Sequence, residues 1–93
     1  MTGAARIRVR GQVQGVGFRP FVWQLATAMG LRGEVLNDPE GVLIFVTGTD
    51  LAGFAVRLRS DAPPLARVDA VEVAEWAFET PPDGFSITPS RGK

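Results

Sequence analysis

Residues 6–10 alternate strictly between arginine and an aliphatic side chain: Arg6, Ile7, Arg8, Val9 and Arg10. Successive side chains of a β-strand point to opposite faces of a sheet, so a period of two predicts a strand with one buried face and one charged face. A chain of 93 residues can form one domain around such a strand. We therefore expect a single domain over residues 1–93, with an ordered core of about 5–89.

The apolar pattern changes to a helical period after this strand. Apolar residues recur three, four, seven and eight positions after Phe21, as they do on one face of an α-helix. Pro20 is suited to the first turn of a helix, where its missing N–H costs nothing, and Gly30 is suited to the C-terminal end. This pattern predicts a first helix from about Pro20 to Met29.

The remaining segments predict four strands and one further helix. Residues 37–41 form a turn cluster, so the strands on either side of it should form a hairpin. Thr49 and Asp50 provide an N-cap for the second helix. The strands are expected at 31–37, 42–46, 68–76 and 85–88, and the helix at about 50–60. The order β-α-β-β-α-β predicts an α+β ferredoxin-like split βαβ fold, an antiparallel sheet with two helices on one face and a short extra edge strand.

Composition excludes several kinds of chemistry. The sequence has no cysteine and no histidine, so thiolate catalysis, disulfides, cysteine-based zinc sites and Ser-His-Asp arrangements are all excluded. No segment approaches the ~18 apolar residues of a membrane span, and residues 1–10 are too basic and alternating for a signal peptide. We expect a soluble, cytoplasmic domain with no membrane partner.

Charge is balanced overall but unevenly placed. Ten basic residues match ten acidic ones, which gives no indication of nucleic-acid binding. Residues 1–33 contain five arginines and no acid, whereas residues 69–83 contain five acids and no base. If these segments become neighbouring strands, opposite charges should pair across the sheet.

The segment between the first strand and the first helix is the best candidate for a binding site. Two glycines allow the backbone N–H groups to form a concave donor cluster, and the start of a helix adds its own unpaired N–H groups. An arginine at the helix entrance provides a planar fork that suits phosphate oxygens. The segment comprises Gln14, Gly15, Val16, Gly17, Phe18 and Arg19. The alternative, slightly favoured by spacing alone, is a glycine turn followed by a surface arginine.

Asn37 is the second candidate. An asparagine before Asp-Pro-Glu-Gly is by itself an ordinary turn former. Its amide can nevertheless hold a water molecule by donating and accepting hydrogen bonds without carrying charge. In a split βαβ sheet the end of the second strand can lie beside the loop after the first, so both groups could share a substrate.

Two motifs carry a resemblance to a known family. Gly11–Arg19, with the sequence GQVQGVGFR, strongly resembles the acylphosphatase signature, and Gly33–Asn37 followed by Glu40–Val42 resembles the second acylphosphatase motif. The resemblance covers nearly the whole chain. It implies that Arg19 and the amides of loop 14–18 bind the phosphate and that Asn37 orients the attacking water, with no cofactor and no metal.

The segment Phe18–Val22, with the sequence FRPFV, narrows the resemblance. It is more similar to the N-terminal domain of hydrogenase maturation carbamoyltransferases of the HypF type than to stand-alone acylphosphatases. This implies hydrolysis of acyl phosphates, with carbamoyl phosphate as the substrate and inorganic phosphate or sulfate as competitors. The other domains of the longer protein would be partners, and zinc, ATP and transfer to a thiol would belong to those domains.

Two alternatives and one departure accompany this interpretation. The domain could instead be a non-catalytic phosphate-binding or docking module. RNA binding on the open sheet face is disfavoured, because the first strand has no aromatic residue and the third has only Phe45.

Glu34 stands where the family usually has an aromatic residue. By strand alternation it should face away from Val35 and Asn37, so we expect altered packing and an intact site.

Overall fold

A computed structural model describes residues 3–89 and contains five strands and two helices over that range. The predicted domain limits at residues 1 and 93 lie outside the described residues. The elements are β1 (Gly3–Gln12), α1 (Phe18–Ala28), β2 (Arg32–Asp38), β3 (Gly41–Gly48), α2 (Leu51–Ser60), β4 (Arg67–Glu75) and β5 (Phe85–Ile87). The order β-α-β-β-α-β is confirmed, with β5 as the extra strand. The strand expected at 6–10 is longer, and the other strands and α2 differ from their predicted limits by one or two residues.

The sheet has the order β4-β1-β3-β2-β5. Strand β1 pairs antiparallel with both β3 and β4, and β2 and β3 form the predicted antiparallel hairpin. Strand β5 pairs with β2 in parallel, so the complete sheet is mixed and not wholly antiparallel. The reason is topological. The chain leaves β4 at one end of the sheet and crosses at that same end to the opposite edge, where β5 begins. Strand β5 therefore runs antiparallel to β4 and parallel to β2.

The core lies between one sheet face and the two helices. Ile7 and Val9, the aliphatic residues of the alternating segment, are fully buried, as the period of two predicts. Phe54 and Leu58 of α2 are also fully buried in the same cluster. Burial of one such side chain stabilises the fold by about 1.5–3 kcal/mol, so this layer holds the helices against the sheet. Within residues 3–89, no helix has the length and apolar character needed to cross a membrane.

Helix α1 begins two residues earlier than predicted. The sequence pattern placed its start at Pro20, whereas the helix runs from Phe18 to Ala28. Phe18 is only 1% exposed and lies on the same helix face as the buried Val22 and Ala26. Ala28, expected on the apolar face, is exposed. Burial of the large Phe18 ring therefore extends the helix back to Gly17, which is its N-cap.

The arginines of β1 project from the opposite, open face of the sheet. The Arg10 guanidinium lies 3.0 Å from the Glu72 carboxylate of β4, which confirms the predicted pairing of charges across neighbouring strands. Arg10 also contacts Glu40 at 3.3 Å, and Arg8 forms an ion pair with Asp38. The arginine stripe is therefore partly neutralised by acids from both sides of β1.

Candidate active site

The loop between β1 and α1 takes its shape from two glycines. Gly15 and Gly17 have φ angles of 74° and 80°, in the left-handed region, whereas Val16 between them does not have a positive φ. A Cβ atom at either glycine would have no other atom within 4 Å. Glycine is therefore required at both positions by backbone conformation and not by lack of space. Such alternation turns successive N–H groups to one side of the loop and forms a concave set of donors.

The start of α1 adds donors to this set. Gly17, the N-cap, provides no capping side chain, and the first helical turn contains no acid. The first helical hydrogen bond runs from the Phe21 N–H to the Gly17 carbonyl at 3.2 Å. Within residues 3–89, the backbone N–H groups of 14–19 donate no hydrogen bond. These free donors and the positive end of the helix dipole favour an anion at this position.

Arg19 stands in the first turn of this helix. Its neighbour Phe18 is buried in the core and contacts the Phe21 ring edge-to-face at a centroid distance of 5.3 Å. The backbone that carries Arg19 is thereby fixed, while the Arg19 side chain is half-buried and has no ion pair or hydrogen bond to another described residue. Its guanidinium fork remains available for two parallel bonds to an oxyanion.

Asn37 lies near the end of β2 on the helix-facing side of the sheet. Asn37 lies two residues after the fully buried Val35, so the two side chains are on the same face of β2. In the sheet Asn37 pairs with Val42, which pairs with Val9 of β1. The Asn37 Oδ1 atom is buried and has no hydrogen-bond partner among the described residues. A buried carbonyl oxygen without a partner costs about 1–3 kcal/mol, and a donor such as a water molecule would remove this cost.

Gln14 connects the loop to the strand end that carries Asn37. Its Nε2 atom donates to the Asp38 carbonyl at 2.7 Å and to the Gly41 carbonyl at 3.0 Å. Both acceptors belong to the turn between β2 and β3. The glycine loop and Asn37 therefore meet at one end of the sheet. Because both side-chain donors are used in this way, Gln14 has only its backbone N–H to offer a phosphate.

Asp38 supports this turn from the open face. Its side chain is 16% exposed, forms an ion pair with Arg8 and accepts a hydrogen bond from the Glu40 N–H at 3.0 Å. The Arg8 guanidinium, together with the backbone N–H groups of the turn, lowers the pKa of Asp38 below its usual 3.8. The Asp38 carboxylate is therefore ionised across the neutral range and holds the turn in place.

Comparison with known proteins identifies the family of the chain. The acylphosphatase family model matches residues 5–87, which include the glycine loop, Arg19 and Asn37. The chain belongs to the acylphosphatase family. The resemblance drawn from the GQVQGVGFR segment is confirmed.

Relatives of this acylphosphatase domain are of two kinds. A carbamoyltransferase HypF of Rhodobacter capsulatus is 70% identical over 87 residues, which cover 94% of this chain and 12% of that protein. An acylphosphatase of Caldivirga maquilingensis is 45% identical over 85 residues, which cover 88% of this chain and 90% of that protein. The chain thus spans about one tenth of the length of its HypF relatives and about nine tenths of the length of the stand-alone acylphosphatases.

Solved structures show the same two relationships. The chain superimposes on a full-length HypF in a phosphate- and nucleotide-bound form with a TM-score of 0.92 and 33% identity, over 99% of this chain and 12% of the other. It superimposes on the acylphosphatase of Bacillus subtilis with a TM-score of 0.84 and 36% identity, over 95% of this chain and 99% of the other. The ferredoxin-like acylphosphatase fold is therefore confirmed.

One groove of the acylphosphatase domain lies away from this loop. A groove of about 480 Å³ is lined by Glu34, Phe78 and Phe85, at the opposite end of the sheet from Asn37. Glu34 lies on the open face, as predicted by strand alternation, and its Oε1 accepts a hydrogen bond from the Thr88 hydroxyl at 2.6 Å. Within residues 3–89, no group of three or more acidic side chains is arranged to hold a metal ion.

Proposed function

We propose that this domain hydrolyses acyl phosphates. In this proposal the amides of Gln14, Gly15, Val16, Gly17 and Phe18 hold the phosphate together with Arg19, and Asn37 orients the attacking water. The observation that carries the proposal is the buried, unpartnered Asn37 Oδ1 beside a loop whose N–H groups are also unpartnered. An anion and a water molecule together would satisfy both sets of groups.

The chemistry requires little more than these groups. In the proposed step the water oxygen attacks phosphorus, and the bond between phosphorus and the acyl oxygen breaks. The acyl group leaves as a carboxylate, and a phosphate oxygen accepts the proton from the water. Arg19 and the loop amides stabilise the charge on the phosphoryl oxygens, and Asn37 fixes the direction of attack. No histidine is needed, because the substrate itself serves as the base.

We propose carbamoyl phosphate as the physiological substrate, with inorganic phosphate or sulfate as competitors. Support comes from the relative that is 70% identical, a carbamoyltransferase HypF, of which the matched region is 12%. In this proposal residues 1–93 form a single acylphosphatase-like domain of a longer cytoplasmic protein, and carbamate is passed on to its other domains.

Hydrolysis of carbamoyl phosphate and of acetyl phosphate by the 93-residue chain tests the proposal. Arg19→Ala should lower the rate by about 10²–10³-fold, the usual cost of losing one preorganised donor. Arg6→Ala is the matched control, because Arg6 is exposed on the open face and forms no ion pair with another described residue. Binding of phosphate without turnover by the unaltered chain would contradict catalysis and favour the non-catalytic alternative.

A further inference from the structure

The side chain of Gln14 points from the phosphate loop into the hairpin turn, where both of its donors are used. We propose that Gln14 is a positioning residue: its carboxamide fixes the phosphate loop relative to Asn37 and so sets the distance between the bound phosphate and the attacking water. The inference rests on the proposed function and assigns a second task to a residue of that site.

The bonding at the turn supports this role. Gln14 Nε2 donates to the two carbonyls that flank the turn, Asp38 O at 2.7 Å and Gly41 O at 3.0 Å. The same turn is held from the open face by the ion pair between Asp38 and Arg8. The Glu40 N–H, at its tip, is bonded to the Asp38 carboxylate. Gln14 therefore attaches the loop to a turn that the Arg8–Asp38 ion pair already holds from the open face.

The Gln14 bonds should affect phosphate binding and turnover differently, because they link the loop to the turn next to Asn37. Residues 14–19 carry both the loop amides and Arg19, and the Phe18 end of this segment is fixed in the core, so loss of the Gln14 bonds should shift a bound phosphate only slightly and leave it held. Asn37 is carried by β2 and does not move with the loop. A change of about 1 Å in the position of a reacting group can lower a rate by as much as 10²-fold. Loss of the Gln14 bonds should therefore lower kcat while leaving phosphate affinity nearly unchanged.

Gln14→Glu and Gln14→Met test this separation. An ionised glutamate has no donor, and methionine has none at any pH, so at about pH 8 both variants should lose about tenfold or more in kcat. Inhibition by inorganic phosphate should change by less than about threefold. Gln12→Glu is the control, since Gln12 is exposed, lies two residues away beside the same turn and makes no side-chain hydrogen bond to another described residue.

The glutamate variant also has a pH signature that a purely structural residue would lack. When the new carboxyl of Gln14→Glu is protonated, it can donate its O–H to a turn carbonyl, so kcat relative to the unaltered chain should rise as the pH falls from about 8 to about 5. Glu40, from the tip of the turn, lines the same cleft as Gln14, and Arg10 pairs with it. The Asp38 carboxylate lies on the far side of the turn with Arg8. Gln14→Met and Gln12→Glu should show no such rise.

Phosphate titration followed by amide NMR gives a readout that does not depend on turnover. Inorganic phosphate should shift the backbone amides of 15–19 in both the unaltered chain and Gln14→Met. The response of the Asn37 side-chain amide should be reduced only in the variant. Urea unfolding of each variant confirms that the comparison is made between folded proteins.

The outcomes distinguish this inference from the function on which it rests. An unaltered chain that hydrolyses no acyl phosphate overturns the proposed function, and the NMR comparison then decides the role of Gln14. An active chain whose folded Gln14 variants keep full kcat overturns the positioning role alone. Equal losses of kcat and of phosphate affinity also overturn it, because Gln14 would then belong to the phosphate site itself.

Discussion

Asn37 and Asp38 are adjacent in β2 and project from opposite faces of the sheet. Asn37 lies on the helix side with a buried, unpartnered oxygen, and Asp38 lies on the open side in an ion pair with Arg8. One residue is thus left unsatisfied at the candidate site while its neighbour secures the strand end. The Arg8–Asp38 ion pair and the hydrogen bond from the Glu40 N–H hold this end of the hairpin from the open face. The polar group on the helix face is therefore left available for substrate.

Asn37→Ala should lower kcat by about 10²-fold or more and leave phosphate affinity within about threefold. The amide is assigned to the water, whereas the phosphate is held by the loop and Arg19. The free energy of unfolding should change by less than about 1 kcal/mol, because the variant removes a buried acceptor that has no partner. Steady-state kinetics with phosphate inhibition, together with urea unfolding, measure the three quantities. A parallel fall in affinity would assign Asn37 to the phosphate site.

Asp38→Asn should destabilise the domain at neutral pH by about 1.5–3 kcal/mol, the value of a hydrogen bond to a charged group in a largely buried pair. The pKa of Asp38 is lowered in the folded state, so its contribution is complete above the ordinary value of 3.8 and is lost as the pH falls through the lower, folded value. The difference between variant and unaltered chain should therefore shrink below about pH 4.

Urea unfolding at neutral and acid pH measures this difference. Asp69→Asn is the control, because Asp69 also pairs with an arginine, Arg67, and also has a lowered pKa, but lies on the exposed surface. It should have a much smaller effect at neutral pH. A difference for Asp38→Asn that stays constant between the two pH values would exclude the ionised carboxylate as its cause.

Local sequence patterns predicted the elements and the glycine loop, because both depend on neighbouring residues. The alternation of arginine and aliphatic residues predicted β1, and the glycine pair predicted the loop that precedes α1. The start of α1 was placed two residues late because Pro20 was treated as its boundary. Phe18 fits the spacing of Val22 and Ala26, so extending the apolar period backwards would have found the true start.

The contacts of Gln14 could not be read from the sequence. Its acceptors are backbone carbonyls 24 and 27 residues away, and any residue supplies a carbonyl. The parallel pairing of β5 with β2 was missed for a similar reason. It depends on which end of the sheet the chain crosses after β4, and no local pattern encodes that path.

Gly17→Ala should cost about 1–2 kcal/mol of stability and weaken phosphate binding. Its φ of 80° is unfavourable for any residue with a Cβ, although the space around it is open. Relaxation of the strain would turn the loop N–H groups away from the phosphate. Gly84→Ala is the control, because that turn glycine also has open space but no positive φ, and it should change stability by less than about 0.5 kcal/mol. Equal effects of both variants on phosphate inhibition would contradict the idea that the left-handed conformation of Gly17 orients the loop N–H groups toward the phosphate.

Arg19→Lys should retain little of the activity. The ammonium of lysine keeps the charge but cannot form the two parallel bonds of a guanidinium, so the rate should stay within about tenfold of that of Arg19→Ala. The Arg19 side chain has no bond to another described residue, and both variants should unfold at nearly the same urea concentration as the unaltered chain. A lysine variant with nearly full activity would show that charge alone suffices.

The pH dependence of kcat should show an acid limb and no alkaline limb below about pH 9. The chain has no histidine or cysteine, so no side chain has an ordinary pKa between about 6 and 8. Arg8 beside Asp38 and Arg67 beside Asp69 lower the pKa of both carboxyls, so neither supplies a base that titrates near neutrality. The acid limb arises when the phosphate dianion of the substrate takes up a proton and becomes a weaker acceptor for the proton of the water. Profiles from about pH 5 to 9, with and without a chelator, measure this directly. An alkaline limb in that range, or activity lost to the chelator, would reveal a participant beyond Arg19, the loop amides and Asn37.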